Sequence, residues 1–174
     1  MGGDVMRLNN TDHIIQTADR LVRKFGTRDP EKLARELGIK IYDVPLKKQK
    51  GMYKVIKRNR CIFVKDDLSD IMRKIVILHE IGHDQLHRRQ AAVFQEFTLF
   101  DMSAGIMEYE ANLFAAQVML PDDEVLEYVY QGYSAGQIAG ALETNVNLVA
   151  IKTADLSRRG HSFRPVDYNV KFLK

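Results

Sequence analysis

The chain has 174 residues, 45% hydrophobic and 28% charged, with a formal net charge of +3, and so falls among ordinary globular domains. That length buries enough surface for a core without covalent staples, and the lone Cys61 excludes an intramolecular disulfide framework. No run approaches the roughly 20 apolar residues of a membrane span, and the opening MGGDVMRLNN lacks the apolar stretch of a signal peptide, so one cytoplasmic domain over 1–174 is expected.

Ile14, Ile15, Ala18, Leu21 and Val22 recur at helical spacing before Gly26 and predict a first amphipathic helix. Asp29, Pro30 and Glu31 supply a cap, a first-turn proline and an early acid for a second helix over 30–37. IKIYDVPL, MYKVI and CIFVK then read as strands of a small, twisted, antiparallel sheet. The stretch from Lys47 to Arg60 holds seven basic residues and no acid. It reads as a solvated hairpin whose lysines discourage edge pairing, with a patch for an acidic partner as the alternative.

From Leu68 the apolar positions Ile71, Met72, Ile75, Val76, Leu78, Ile81 and Leu86 predict a helix buried at the centre of the fold. The stretch 89–105, where Phe94, Phe97 and Phe100 recur every three residues, fits a helix, strand ends or a packed loop equally. A helix over 107–120 stops at Pro121, and Asp122 caps another through Tyr130. QIAGALE and LVAIKTADLSRRG, around the break TNVN, make a final helical pair. The sum is an α+β domain: helices and sheet over 1–67, the central helices over 68–120, and a mainly helical part over 121–174.

The chemistry concentrates in His79-Glu80-Ile81-Gly82-His83, an H-E-x-x-H string on the central helix. Two histidines four apart share one helical face, so both imidazoles can reach one ion, and the glutamate beside them can take a proton from water. With five histidines and nine glutamates in the chain, such a string arises by chance in roughly 0.7% of shuffled sequences. Zinc, one per chain, is the ion that imidazole nitrogens and an open fourth position suit best.

A third ligand is needed. The extended metzincin pattern would require Gly at 86 and His at 89, and Leu86 and Arg89 exclude it. His87 lies one turn beyond His83 but drifts too far round the helix to share the ion, so it reads as a supporting residue. On the following helix Glu110 falls in the apolar stripe with Leu113, Phe114, Gln117 and Val118, where a buried carboxylate needs a cation. Glu108 points about 160° away, with Asn112, Ala115 and Met119. The expected ligands are therefore His79, His83 and Glu110, with Glu108, Asp84 and His161 as alternatives to the last.

The string LHEIGHDQLH, followed by EANLFAAQVMLP, resembles the ImmA/IrrE family of zinc metallopeptidases. DPEKLARELGIKIYDVPL, the Gly51 turn and the paired strands extend the resemblance over most of the chain up to about residue 160. It implies a gluzincin-like zincin core, zinc on His79, His83 and the Glu110 of E-A-N-x-F-A-A, and Glu80 as catalytic base. Ile81 and Asp84 stand where Leu and a small residue are commoner. The resemblance also implies an intracellular protease that makes a specific cut in a helix-turn-helix repressor and relieves repression of a phage or mobile-element operon.

Chain order offers CIFVK as an edge strand for an extended substrate, and Tyr53, Tyr109 and His161 as candidates to steady the oxyanion. The competing function is a metal- or DNA-binding regulator: the final helical pair has helix-turn-helix spacing, with Lys152, Arg158 and Arg159 on its second helix. Its early positions Val146, Leu148 and Val149 offer little for reading bases, so no direct nucleic-acid contact is expected.

Overall fold

The computed structural model describes residues 2–88 and 105–163. The Phe94, Phe97 and Phe100 stretch therefore lies outside the described residues. The chain opens with α1 (Gly2–Phe25) and α2 (Pro30–Glu36). The second helix starts as its sequence predicts: Asp29 accepts from the Lys32 amide at 2.8 Å, and Pro30 occupies the first turn, where its missing N–H costs nothing.

Three strands follow, β1 (Ile39–Val44), β2 (Gly51–Ile56) and β3 (Asn59–Lys65), in the order β1-β3-β2. The sheet is mixed, where an antiparallel one was expected: β2 and β3 are antiparallel, β1 and β3 parallel. The reason lies in the turn. Lys57 and Arg58 both adopt positive φ, 47° and 67°, the two-residue geometry whose twist suits a tight hairpin. The hairpin makes β2 and β3 neighbours and leaves β1 the other edge of β3, where two chain reversals have restored the strand direction. CIFVK is thus the interior strand, hydrogen-bonded on both sides, and the expectation that it offers a free edge to substrate is corrected. The free edges belong to β1 and β2.

One face of the sheet carries Ile39, Tyr53, Ile62 and Val64, all buried. Against it lies α3 (Asp70–Leu86), capped by Ser69, whose hydroxyl accepts from the Met72 amide. Every residue from Ile75 to Asp84 on α3 is buried, as the broad apolar face predicts. Next comes α4 (Ile106–Met119), packed on α3 and flanked by α1 and α7. It is enclosed so fully that Glu108 and every residue from Glu110 to Val118 are buried.

The C-terminal part holds α5 (Asp122–Tyr130), α6 (Ala135–Ala141) and α7 (Val146–Arg158). Pro121, rather than Asp122, takes the cap position of α5, while Ser134 and Gln137 form a reciprocal capping box on α6. The fold is α+β, mostly helical around a small mixed sheet. No described helix is long and apolar enough to cross a membrane.

Candidate metal centre

Two glycines let the elements around the H-E-x-x-H helix come close. A Cβ on Gly82 would stand 3.1 Å from the Ala111 Cα and 3.2 Å from the Ala111 carbonyl oxygen, so the bare residue allows α3 and α4 to meet backbone to side. A Cβ on Gly51 would clash with Val76 and lie 2.8 Å from Glu80 Oε1, so β2 begins directly against the Glu80 carboxylate. Between them these contacts bring a strand and a second helix close against different faces of α3.

The α3–α4 contact aligns Glu108 with the two histidines. His79 Nε2 lies 3.2 Å from Glu108 Oε2, His83 Nε2 lies 3.1 Å from Glu108 Oε1, and the two Nε2 atoms are 3.0 Å apart. All three residues are buried, and each offers one donor atom to a common point. His79 is held from behind by Asn112, whose Oδ1 is 2.8 Å from His79 Nδ1. Glu108 and Asn112 are one turn apart on α4, so one helical face supplies both contacts.

Glu110 sits elsewhere, with its Oε2 2.6 Å from His87 Nε2. Two expectations change here. Glu108, expected to face away, completes the cluster with His79 and His83, and Glu110, expected as the third ligand, lies outside that group of three. The apolar stripe misled because α4 is buried all round, so inward-facing positions do not single out the side that meets α3. A signal was nonetheless present: Glu108 and Asn112 share their side of α4 with the small residues Ala111 and Ala115, opposite Gly82.

The alternatives also have other places. Asp84 accepts from the Tyr53 hydroxyl at 2.6 Å and pairs with Arg60 at 2.9 Å and Arg88 at 3.1 Å, tying the sheet to α3. Tyr53, one oxyanion candidate, is engaged there. Tyr109 faces the Asp155 and Arg158 charges of α7, and burial pushes its hydroxyl pKa up. His161 follows α7 and is not in the cluster.

Burial and neighbouring charge set unusual protonation. Burial pushes the Glu80 carboxyl up to about 7, with the Glu108 charge adding to the rise and His79 opposing it. Burial drives His83 down to about 4 against the pull of Glu108. At His79 burial also lowers the pKa, but Glu108 and Glu80 outweigh it and the balance is upward. For Glu108 burial is overcome by the neighbouring His79 and His83, which hold it at about 2. A carboxyl near neutrality beside two imidazoles is suited to exchange a proton with water.

The donor set fits a cation. Two imidazole nitrogens at 3.0 Å and a carboxylate converge in a buried space. Two imidazole nitrogens and one carboxylate oxygen within reach of a single point form a donor set that suits a divalent cation and leaves a coordination position open.

The helix pair proposed to read DNA is engaged internally. Lys152 is fully buried and bonds Gln117 and Asp122; Arg159 pairs with Asp122 and Asp155, and Arg158 with Asp155 and Asp12. The cations that supported the regulator reading are thus neutralised by the chain itself.

The chain also resembles known proteins. The chain is 38% identical over 122 residues to immunity region protein 2 of Bacillus phage phi105, covering 69% of this chain and 76% of the relative. It is 37% identical over 70 residues to metallopeptidase ImmA of Bacillus subtilis (strain 168), covering 38% of this chain and 40% of that protein. Residues 34–152, more than half the chain and including every residue of the cluster, match the model of peptidase family M78, the IrrE N-terminal-like domain. The chain belongs to that family and is a metallopeptidase.

Proposed function

We propose that this protein is a zinc-dependent endopeptidase that acts in the cytoplasm on a helix-turn-helix repressor, with His79, His83 and Glu108 holding the ion and Glu80 acting as general base. The observation that carries the proposal is the convergence of His79 Nε2, His83 Nε2 and the Glu108 carboxylate beside Glu80 in a buried space. The choice of repressor as substrate rests on the family resemblance and on a relative from a phage immunity region. When bound, the ion would act as a Lewis acid that polarises the scissile carbonyl and acidifies water. The chain's own residues do the remainder. His79 and His83 are steadied through their Nδ1 atoms, and Glu108 balances the charge. Glu80, buried next to His79, takes the proton from the attacking water and passes it to the departing amine.

The test is Glu80→Gln, assayed against a helix-turn-helix repressor that the wild-type protein cuts. The variant is expected to keep its metal and to cut at least about 100-fold more slowly, the lower end of what general-base catalysis contributes. Wild-type cutting by that variant would remove Glu80 from its role.

A further inference from the structure

Behind the cluster runs a second line of buried groups that the reaction as described does not use. His83 Nδ1 lies 3.2 Å from His87 Nδ1, and His87 Nε2 lies 2.6 Å from Glu110 Oε2. His87 and Glu110 are both buried. The two contacts are linked by the chemistry of a single ring. A carboxylate at 2.6 Å requires a proton on His87 Nε2, because a bare nitrogen there would face a negative oxygen. A neutral His87 with its proton on Nε2 presents a lone pair at Nδ1. The N···N contact then needs its proton from His83 Nδ1, and His83 keeps a bare Nε2, the atom aimed at His79 and Glu108.

We propose that Glu110 and His87 form a positioning relay that selects the Nδ1–H tautomer of His83 and so presents its Nε2 lone pair to the metal. The inference rests on the ligand set proposed above. It assigns different supports to the two histidines: His79 is oriented by one amide, Asn112, and His83 by a carboxylate acting through a second imidazole. It also gives separate roles to the two buried glutamates two residues apart on α4, one facing the ion and one facing the residue behind it. Metal-binding histidines are commonly fixed by such a carboxylate or carbonyl; here the carboxylate is one ring further away.

The test is zinc affinity measured by competition with a chromophoric chelator, together with nitrogen-15 spectra of the imidazoles. Glu110→Leu is expected to bind zinc about 10–100-fold more weakly than wild type at unchanged stoichiometry, the range seen when such supports are lost. Glu110→Gln should fall between, since its Oε1 still accepts from His87 Nε2. In the zinc-loaded wild-type protein His83 should carry its proton on Nδ1 and His87 on Nε2. Glu110→Leu should disturb the His83 and His87 signals while leaving His79, supported by Asn112, unchanged.

Zinc affinity of Glu110→Leu equal to wild type, or a proton on His87 Nδ1 instead of Nε2, would overturn the relay. If Glu110→Leu does not fold, the wild-type spectra and Glu110→Gln still decide. Glu108→Ala separates the two readings. If it loses zinc while Glu110→Leu binds normally, the relay alone is wrong. If it keeps zinc while Glu110→Leu loses it, the ligand set is wrong.

Discussion

Two clusters of charged and polar groups flank α4, one partly buried and one buried, and they differ in the groups they gather. Toward α7, Lys152 and Arg159 close on Asp122, and Arg158 and Arg159 close on Asp155; each acid has a cation from the chain. Toward α3, His79, His83, Glu80 and Glu108 gather two imidazoles and two carboxylates. A cluster of opposite charges that close on one another holds elements together, whereas converging imidazole and carboxylate donors suit a metal ion. The same helix carries both, with Gln117 facing the first and Glu108 the second.

The largest effect on the comparison should come from removing the internal cation. Lys152→Ala removes a fully buried side chain and the donor to Gln117, while Asp122 keeps Arg159; the cavity and the lost bond together cost about 3 kcal/mol. A fall of that size in unfolding free energy, read from urea denaturation, with bound metal per folded chain unchanged, would confirm that the two clusters are independent. Equal loss of metal would join them.

A smaller effect is expected where α3 meets α4. Gly82→Ala gains helix propensity worth about 1 kcal/mol in an isolated helix. Its Cβ, however, would press on the Ala111 backbone, 3.1 Å from Cα, and overpacking of this kind costs about 1–3 kcal/mol. The expected result is a net drop in melting temperature together with weaker zinc binding, because Glu108 is carried on the displaced helix. A more stable variant with unchanged affinity would show that the contact has slack.

The smallest effect is in acid. Burial raises the Asp122 carboxyl, but hydrogen bonds from Arg159 and Lys152 outweigh it and hold its pKa well below the ordinary carboxylate value. A depressed pKa contributes stability that is complete above the unfolded value and is lost as pH falls below it. Wild type should therefore lose stability from about pH 5 downward, and Asp122→Asn, already weakened at neutral pH, should lose less over that window. Parallel acid slopes for the two proteins, measured as denaturation midpoints against pH, would contradict the assignment.

What could be read from sequence was mostly local. H-E-x-x-H carries its meaning in four-residue spacing on one helix, and Asp29-Pro30 fixes where α2 starts because cap and ring act within a turn. The exchange of Glu110 for Glu108 could not be read from periodicity, since α4 is enclosed by α1, α3 and α7 and lacks a solvent side to set its orientation. The parallel β1–β3 pairing follows from the β2–β3 hairpin, which leaves β1 the far edge of β3, so it depends on a neighbour relation that strand patterns do not carry. Lys152 looked like a surface cation for the same reason: its burial depends on Asp122, thirty residues earlier.

The central claim, that the cluster toward α3 holds a metal through Glu108, is tested most directly by the metal content of wild type and Glu108→Ala purified without chelator. Elemental mass spectrometry should find about one zinc per chain in wild type and almost none in the variant, as expected when one of three protein ligands is removed. Zinc retained at wild-type stoichiometry and affinity in a folded Glu108→Ala would contradict the account.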